Sequence, residues 1–175
     1  MNASKSMNQP SRYERLAVIQ KETRVDAFLF TSPSTVKWLS NYFYNFETGP
    51  SPFHLMPSAL LVVPGQLLSL VIADNETFST SAGRHDMSVI LYASYSYEKP
   101  LDYSQQFLNK LHTLLKQVGL TKASIGIEQD FLPYVVAKTM GEKYPAIGWI
   151  DVTREITSLK AVKDADEIMQ IRAAC

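Results

Sequence analysis

The stretch Asp26-Ala-Phe-Leu-Phe-Thr31 is apolar without a break from Ala27 to Phe30 and is only of strand length. A strand with one wet face alternates apolar and polar residues, so an unbroken run implies a strand covered on both faces. A sheet carrying helices on either side meets that requirement. Two further runs, Ser58–Val63 and Leu67–Ala73, flank Pro64-Gly65-Gln66, with proline and glycine where a type II turn uses them. This spacing predicts a β-hairpin. Ser88–Ala93, Ala123–Glu128 and Ile147–Val152 supply the remaining strands. Gly126 inside one of them predicts the close approach of a neighbour.

Between the strands the period changes to that of helices. Ser11 and Glu14 stand at capping-box spacing around Tyr13, Leu16 and Ile19, which predicts a helix to about Thr23. Ser32-Pro33 starts a second helix, with serine as its cap, Val36 and Leu39 on its buried side and Trp38 at its edge. Asn75–Gly83 suits a short helix. Leu101–Val118 carries Phe107, Leu108, Leu111, Leu114, Leu115 and Val118 on one stripe and is stopped by Gly119. Phe131–Lys143 buries Leu132, Val135, Val136 and Met140, with Asp130 as its expected cap. Asp164 and Glu167 repeat the capping-box spacing ahead of Ile168, Ile171 and Cys175. The order α-β-α-β-β-α-β-α-β-α-β-α is α/β, and the hairpin makes the sheet, of about six strands flanked by helices, mixed.

The last helix carries no glycine, asparagine or proline stop. A further domain is therefore expected after Cys175. The expected organisation is a disordered tail over 1–10, one domain over 11–160, and the start of a linker helix over 161–175.

Composition removes several function classes. Lys+Arg and Asp+Glu number 17 each, so the net charge is zero, whereas a surface that grips a phosphate backbone is visibly basic. No nucleic-acid partner is expected. The apolar runs are too short for a membrane span, and the polar start lacks a secretory h-region. The one cysteine excludes an internal disulfide and a cysteine-based zinc site, and a cytoplasmic setting is expected.

No phosphate loop, dinucleotide fingerprint, H-E-x-x-H or G-x-S-x-G is present. His112 falls among the polar positions of the long helix and reads as a solvated histidine. His85 follows Arg84 at an expected helix end, where the dipole explains it without catalysis. Arg84, Asp86 and Asp74 have no spacing that demands a site. Glu128 and Asp130 lie just beyond a strand, where α/β sheets collect ligands, and a metal held by the pair is the chemical alternative to a helix cap. Asn41–Pro57 has neither period and contains five aromatic residues. Tyr44, Glu47, Phe53 and His54 there combine stacking faces with polar groups, the makeup of a pocket wall, an interface, or rings tucked under a loop.

Asp26-Ala-Phe-Leu-Phe-Thr-Ser-Pro-Ser-Thr-Val-Lys-Trp-Leu-Ser-Asn-Tyr42 resembles the opening of the creatinase/prolidase N-terminal domain, a strand, a helix and then L-[ST]-[GN]-[YF]. Ile156–Ala174 resembles its exit, typically L-R-x-x-K-[DS]-x-x-E-[IL]-x-x-[IL]-[RK]-x-A. Lys163, Asp164, Glu167, Ile168, Ile171, Arg172 and Ala174 fit, and Lys160 stands where the family usually has arginine.

The resemblance implies a ribonuclease-H-like motif fold with no catalytic residue and no metal in this stretch. It also implies a later catalytic domain holding two divalent metal ions, Mn or Co, and cleaving Xaa-Pro bonds. A homodimer built through the present domain is implied, with Tyr44, Glu47, Phe53 and His54 on the pocket rim or dimer interface. A creatinase-type amidinohydrolase parent and a stand-alone α/β binding module are the alternatives.

Overall fold

The computed structural model describes residues 11–42, 57–75 and 87–175. The expected tail over 1–10, the aromatic loop and the expected helix over 75–83 (save Asn75) fall outside the described residues.

Helix α1 (Arg12–Thr23) begins on the expected capping box and ends where Arg24 turns left-handed at φ 55°. Strand β1 (Ala27–Phe30) follows, buried at all four positions. Helix α2 (Pro33–Ser40) has proline in its first turn, but the Ser32 hydroxyl makes no capping bond and instead meets Ser34 Oγ at 3.0 Å. Strands β2 (Ala59–Val62) and β3 (Leu68–Ala73) form the expected antiparallel hairpin. Its turn has Gly65 at φ +74° and a 3.0 Å bond from Gln66 N–H to the Val63 carbonyl, as a type II turn requires.

Strand β4 (Met87–Tyr92) leads to α3 (Tyr103–Gln117), capped by Asp102 and closed by Gly119 at φ +76°. Strand β5 (Ser124–Ile127), a short 3₁₀ turn (Gln129–Phe131) and α4 (Tyr134–Lys143) come next. Strand β6 (Gly148–Asp151), α5 (Thr153–Ala161) and α6 (Ala165–Ala174) complete the chain.

Three expectations are corrected. Helix α4 starts at Tyr134 rather than Phe131, because Leu132 precedes Pro133 and is held extended (ψ 117°) by the proline ring. Asp130 consequently does not cap it. Helix α5 was not expected at all. Trp38 lies buried, 7% exposed, rather than at the edge of α2, because α1 lays two arginines against its ring.

The sheet order is β4-β3-β2-β1-β5-β6, with β2 alone running against the other five strands. Ala27, Leu29, Ala59, Leu61, Val71 and Ala73 pack toward α3 and α4 on one face. Their neighbours Phe28, Phe30, Leu60, Val62, Leu70 and Ile72 pack toward α1, α2 and α5 on the other. This alternation explains the unbroken apolar runs, since successive side chains enter opposite cores. Gly126 sits across from Phe28, and a Cβ there would come within 2.7 Å of the Phe28 ring, the close approach expected of this glycine.

Candidate functional site

Strands β1, β5 and β6 run parallel and end at the same edge of the sheet. From β1 the chain passes to α2 on one face; from β5 it passes to α4 on the other. That divergence opens the crevice where α/β sheets place their sites. Each of the three strands delivers one polar group there: Thr35 on α2, Glu128 at the end of β5, and Lys160 on α5.

Glu128 is 3% exposed, and its Oε1 accepts a 2.8 Å bond from Thr35 Oγ1. Lys160 Nζ donates to Thr35 Oγ1 at 2.8 Å and to Ser34 Oγ at 3.0 Å, and stands 3.6 Å from Glu128 Oε1. The result is a donor chain from ammonium to hydroxyl to carboxylate. Burial raises the Glu128 pKa; the Thr35 hydroxyl and the Lys160 charge oppose the shift without cancelling it. Glu128 Oε2 is buried and has no hydrogen-bond partner among the described residues.

Around this network the backbone is tied down. Thr31 Oγ1 donates to the Phe131 carbonyl at 2.7 Å, and Gln129 N–H donates to Thr153 Oγ1 at 3.0 Å. Asp151 accepts from Thr153 N–H at 3.0 Å, and the Thr153 bonds keep its pKa below the usual carboxylate range. Helix α5 is therefore fixed at its start by the β6 end and along its length by Glu128.

Glu128 and Asp130 do not form a metal-holding pair. Glu128 points inward onto Thr35, Asp130 is exposed in the 3₁₀ turn, and the Lys160 ammonium stands where a metal cation would have to go. Among the described residues no three His, Cys, Asp or Glu side chains converge, so the described residues do not fit a two-metal centre.

His112 is not merely solvated: its Nδ1 meets the Tyr144 hydroxyl, and the two rings stack with centroids 5.5 Å apart. Asp74 tethers the segment after β4, accepting from Ser94 N–H at 3.0 Å and Ser94 Oγ at 2.6 Å. Tyr95 and Tyr97 stand exposed beyond that tether in edge-to-face contact. Tyr44, Glu47, Phe53, His54, Arg84, His85 and Asp86 lie outside the described residues. Thr35 and the buried role of Lys160 escaped the sequence reading, and the one signal for Lys160 was the Ile156–Leu159 spacing of an unrecognised helix.

Among the described residues no helix is long and apolar enough to cross a membrane. No curated protein matches the chain by sequence. Solved structures share its fold. An Xaa-Pro dipeptidase from Bacillus anthracis superposes with a TM-score of 0.62 at 18% identity, over 90% of this chain and 37% of that one. A proline dipeptidase structure from Streptococcus pneumoniae gives 0.59 at 14% identity, over 88% and 100%. The creatinase/prolidase N-terminal domain of an X-Pro dipeptidase from Streptococcus pyogenes gives 0.54 at 17%, over 84% and 95%. At these identities the likeness is one of fold, and the chain spans little more than a third of the Bacillus anthracis enzyme. The sequence pattern of the creatinase/prolidase N-terminal domain matches residues 12–162, and the chain belongs to that family.

Proposed function

We propose that this chain is the non-catalytic N-terminal domain of a prolidase-type Xaa-Pro metallopeptidase. The observation that carries the reading is the family match over 12–162, which runs from the start of α1 to the end of α5. The domain's own polar crevice supports it. That crevice is closed on itself by a lysine, a threonine and a glutamate, so its chemistry goes into holding α5 and not into attacking a substrate.

The reaction centre belongs to a following domain, where two divalent metal ions, Mn or Co, would activate water against the scissile carbonyl. The present domain contributes homodimer formation and the rim of the substrate pocket, through Tyr44, Glu47, Phe53 and His54. The setting is cytoplasmic.

Sedimentation equilibrium of the parent enzyme tests the assembly role, with a dimer expected. Phe53→Ala or His54→Ala in the parent should raise KM or weaken the dimer. Unchanged kinetics together with unchanged mass would remove the loop from both roles.

A further inference from the structure

We propose that the segment between β4 and α3 forms a binding site for a small zwitterion that joins a trimethylammonium group to a carboxylate. Tyr95, Tyr97, Glu98, Lys99 and Tyr103 of this segment line a cavity of about 460 Å³ that opens to solvent. Sites for small molecules occupy about 300–1,000 Å³. Tyr95 and Tyr97 are 57% and 94% exposed, and neither ring belongs to either core. Packing therefore does not explain two tyrosines at this place, and a ligand would.

The segment is held at both ends. Ser94 is bound to Asp74 through its N–H at 3.0 Å and its hydroxyl at 2.6 Å. At the other end Asp102 caps α3, accepting from Gln105 N–H at 2.9 Å. Between them Glu98 N–H donates to Ser96 Oγ at 3.3 Å. Walls fixed in advance lose less freedom when a ligand enters, which favours binding.

The walls choose the ligand's charge. Tyr95 and Tyr97 stand with centroids 4.8 Å apart and planes at 88°, two sides of a corner, and Tyr103 supplies a third ring. A ring face carries the negative part of the aromatic quadrupole, so such a corner attracts a cation. Among the described residues no cation of the chain takes that place, since the cation–π contacts are those of Arg12 and Arg15 on Trp38. A primary ammonium brings three donors that ring faces do not satisfy, whereas a trimethylammonium brings none. Glu98 and Lys99 are both exposed, and among the described residues neither has an ion-pair partner. The Glu98 carboxylate adds to the attraction for the cation, and the Lys99 ammonium selects a molecule that carries a carboxylate as well. This site is independent of the role proposed above.

The test is calorimetric titration of the 175-residue chain with glycine betaine, for which saturable binding is expected. The probe 3,3-dimethylbutanoate has the same shape and carboxylate but carbon in place of the charged nitrogen, and should not bind. Choline keeps the cation without the carboxylate and should bind more weakly than betaine. Tyr97→Leu should weaken betaine by about 2- to 30-fold, the range of one cation–π contact. Tyr97→Phe keeps the ring face and should retain binding. Lys99→Ala should weaken betaine and strengthen choline. Because Tyr97 and Lys99 are exposed, the fold does not depend on them.

No saturation by betaine, equal binding of 3,3-dimethylbutanoate, or unchanged affinity in Tyr97→Leu would overturn the site. Loss of binding in Tyr97→Phe would overturn the part given to the ring face. Phosphatidylcholine vesicles present the same cation beside a phosphate. Cosedimentation with such vesicles, in a chain that does not bind betaine, would overturn the assignment to a small molecule.

Discussion

Helices α5 and α6 each have one ionic attachment, and the two rest on opposite physics. At the sheet edge, Lys160 meets a carboxylate whose side chain is 2% exposed; at the far end, Arg12 meets Asp164, 22% exposed. Burial pushes the Glu128 carboxyl up, while the Arg12 hydrogen bond draws the Asp164 carboxyl down. In the first pair desolvation outweighs attraction, and in the second attraction outweighs desolvation. The buried pair is costly to form and costly to break, so it fixes geometry. The half-buried pair is less costly to open, so it fixes geometry less firmly.

Breaking each attachment separately sharpens that contrast. Lys160→Met leaves Glu128 buried with no cation beside it. It should lower unfolding free energy by about 2–3 kcal/mol in urea melts, less than a fully buried pair because the carboxyl can take up a proton. The loss should grow between acid and neutral pH; a loss that does not change with pH would contradict a charged Glu128. Thr35→Val removes the hydroxyl that joins the two charges and should cost about 1–2 kcal/mol. Asp164→Asn should cost less than about 1 kcal/mol, and less still in high salt. If Asp164→Asn destabilises more than Lys160→Met, the ranking of the two attachments is reversed.

The pH slopes should also oppose one another. Folded Glu128 binds its proton more tightly than the unfolded chain does. The stability it contributes is therefore complete below its ordinary value of 4.5 and is lost as pH rises through its higher folded value. Asp164 contributes stability above its ordinary value of 3.8 and loses it as pH falls through its lower folded value. Gln and Asn mimic the protonated carboxyls, so both variant curves should parallel the starting protein's at low pH and part from it as pH rises, Glu128→Gln toward higher relative stability and Asp164→Asn toward lower. Divergence in the same direction would refute the assignment of causes.

What was legible in the sequence was local. Both capping boxes, the Pro64-Gly65 turn, the Gly119 stop and the close approach at Gly126 are each written within a few residues, and each appears where its rule places it. The mixed six-stranded sheet followed from strand-length apolar runs whose neighbours enter two different cores.

The crevice was only half legible. Glu128 could be singled out as a carboxylate at a strand end, but its partners stand 93 residues away on α2 and on a helix with one fully buried side chain, Ile156. Trp38 was misplaced for a similar reason: its cover comes from α1, and no period within α2 records it. For α4 the apolar stripe points to a start three residues too early, because the stripe does not register the proline at the helix head.

The role proposed above makes this domain a non-catalytic part of an Xaa-Pro peptidase. The most direct test incubates the purified 175-residue chain with an Xaa-Pro dipeptide and added Mn²⁺ or Co²⁺, beside the full-length parent. The account predicts proline release by the parent and none by the chain. Turnover by the chain alone, lost on chelation and regained with metal, would contradict it.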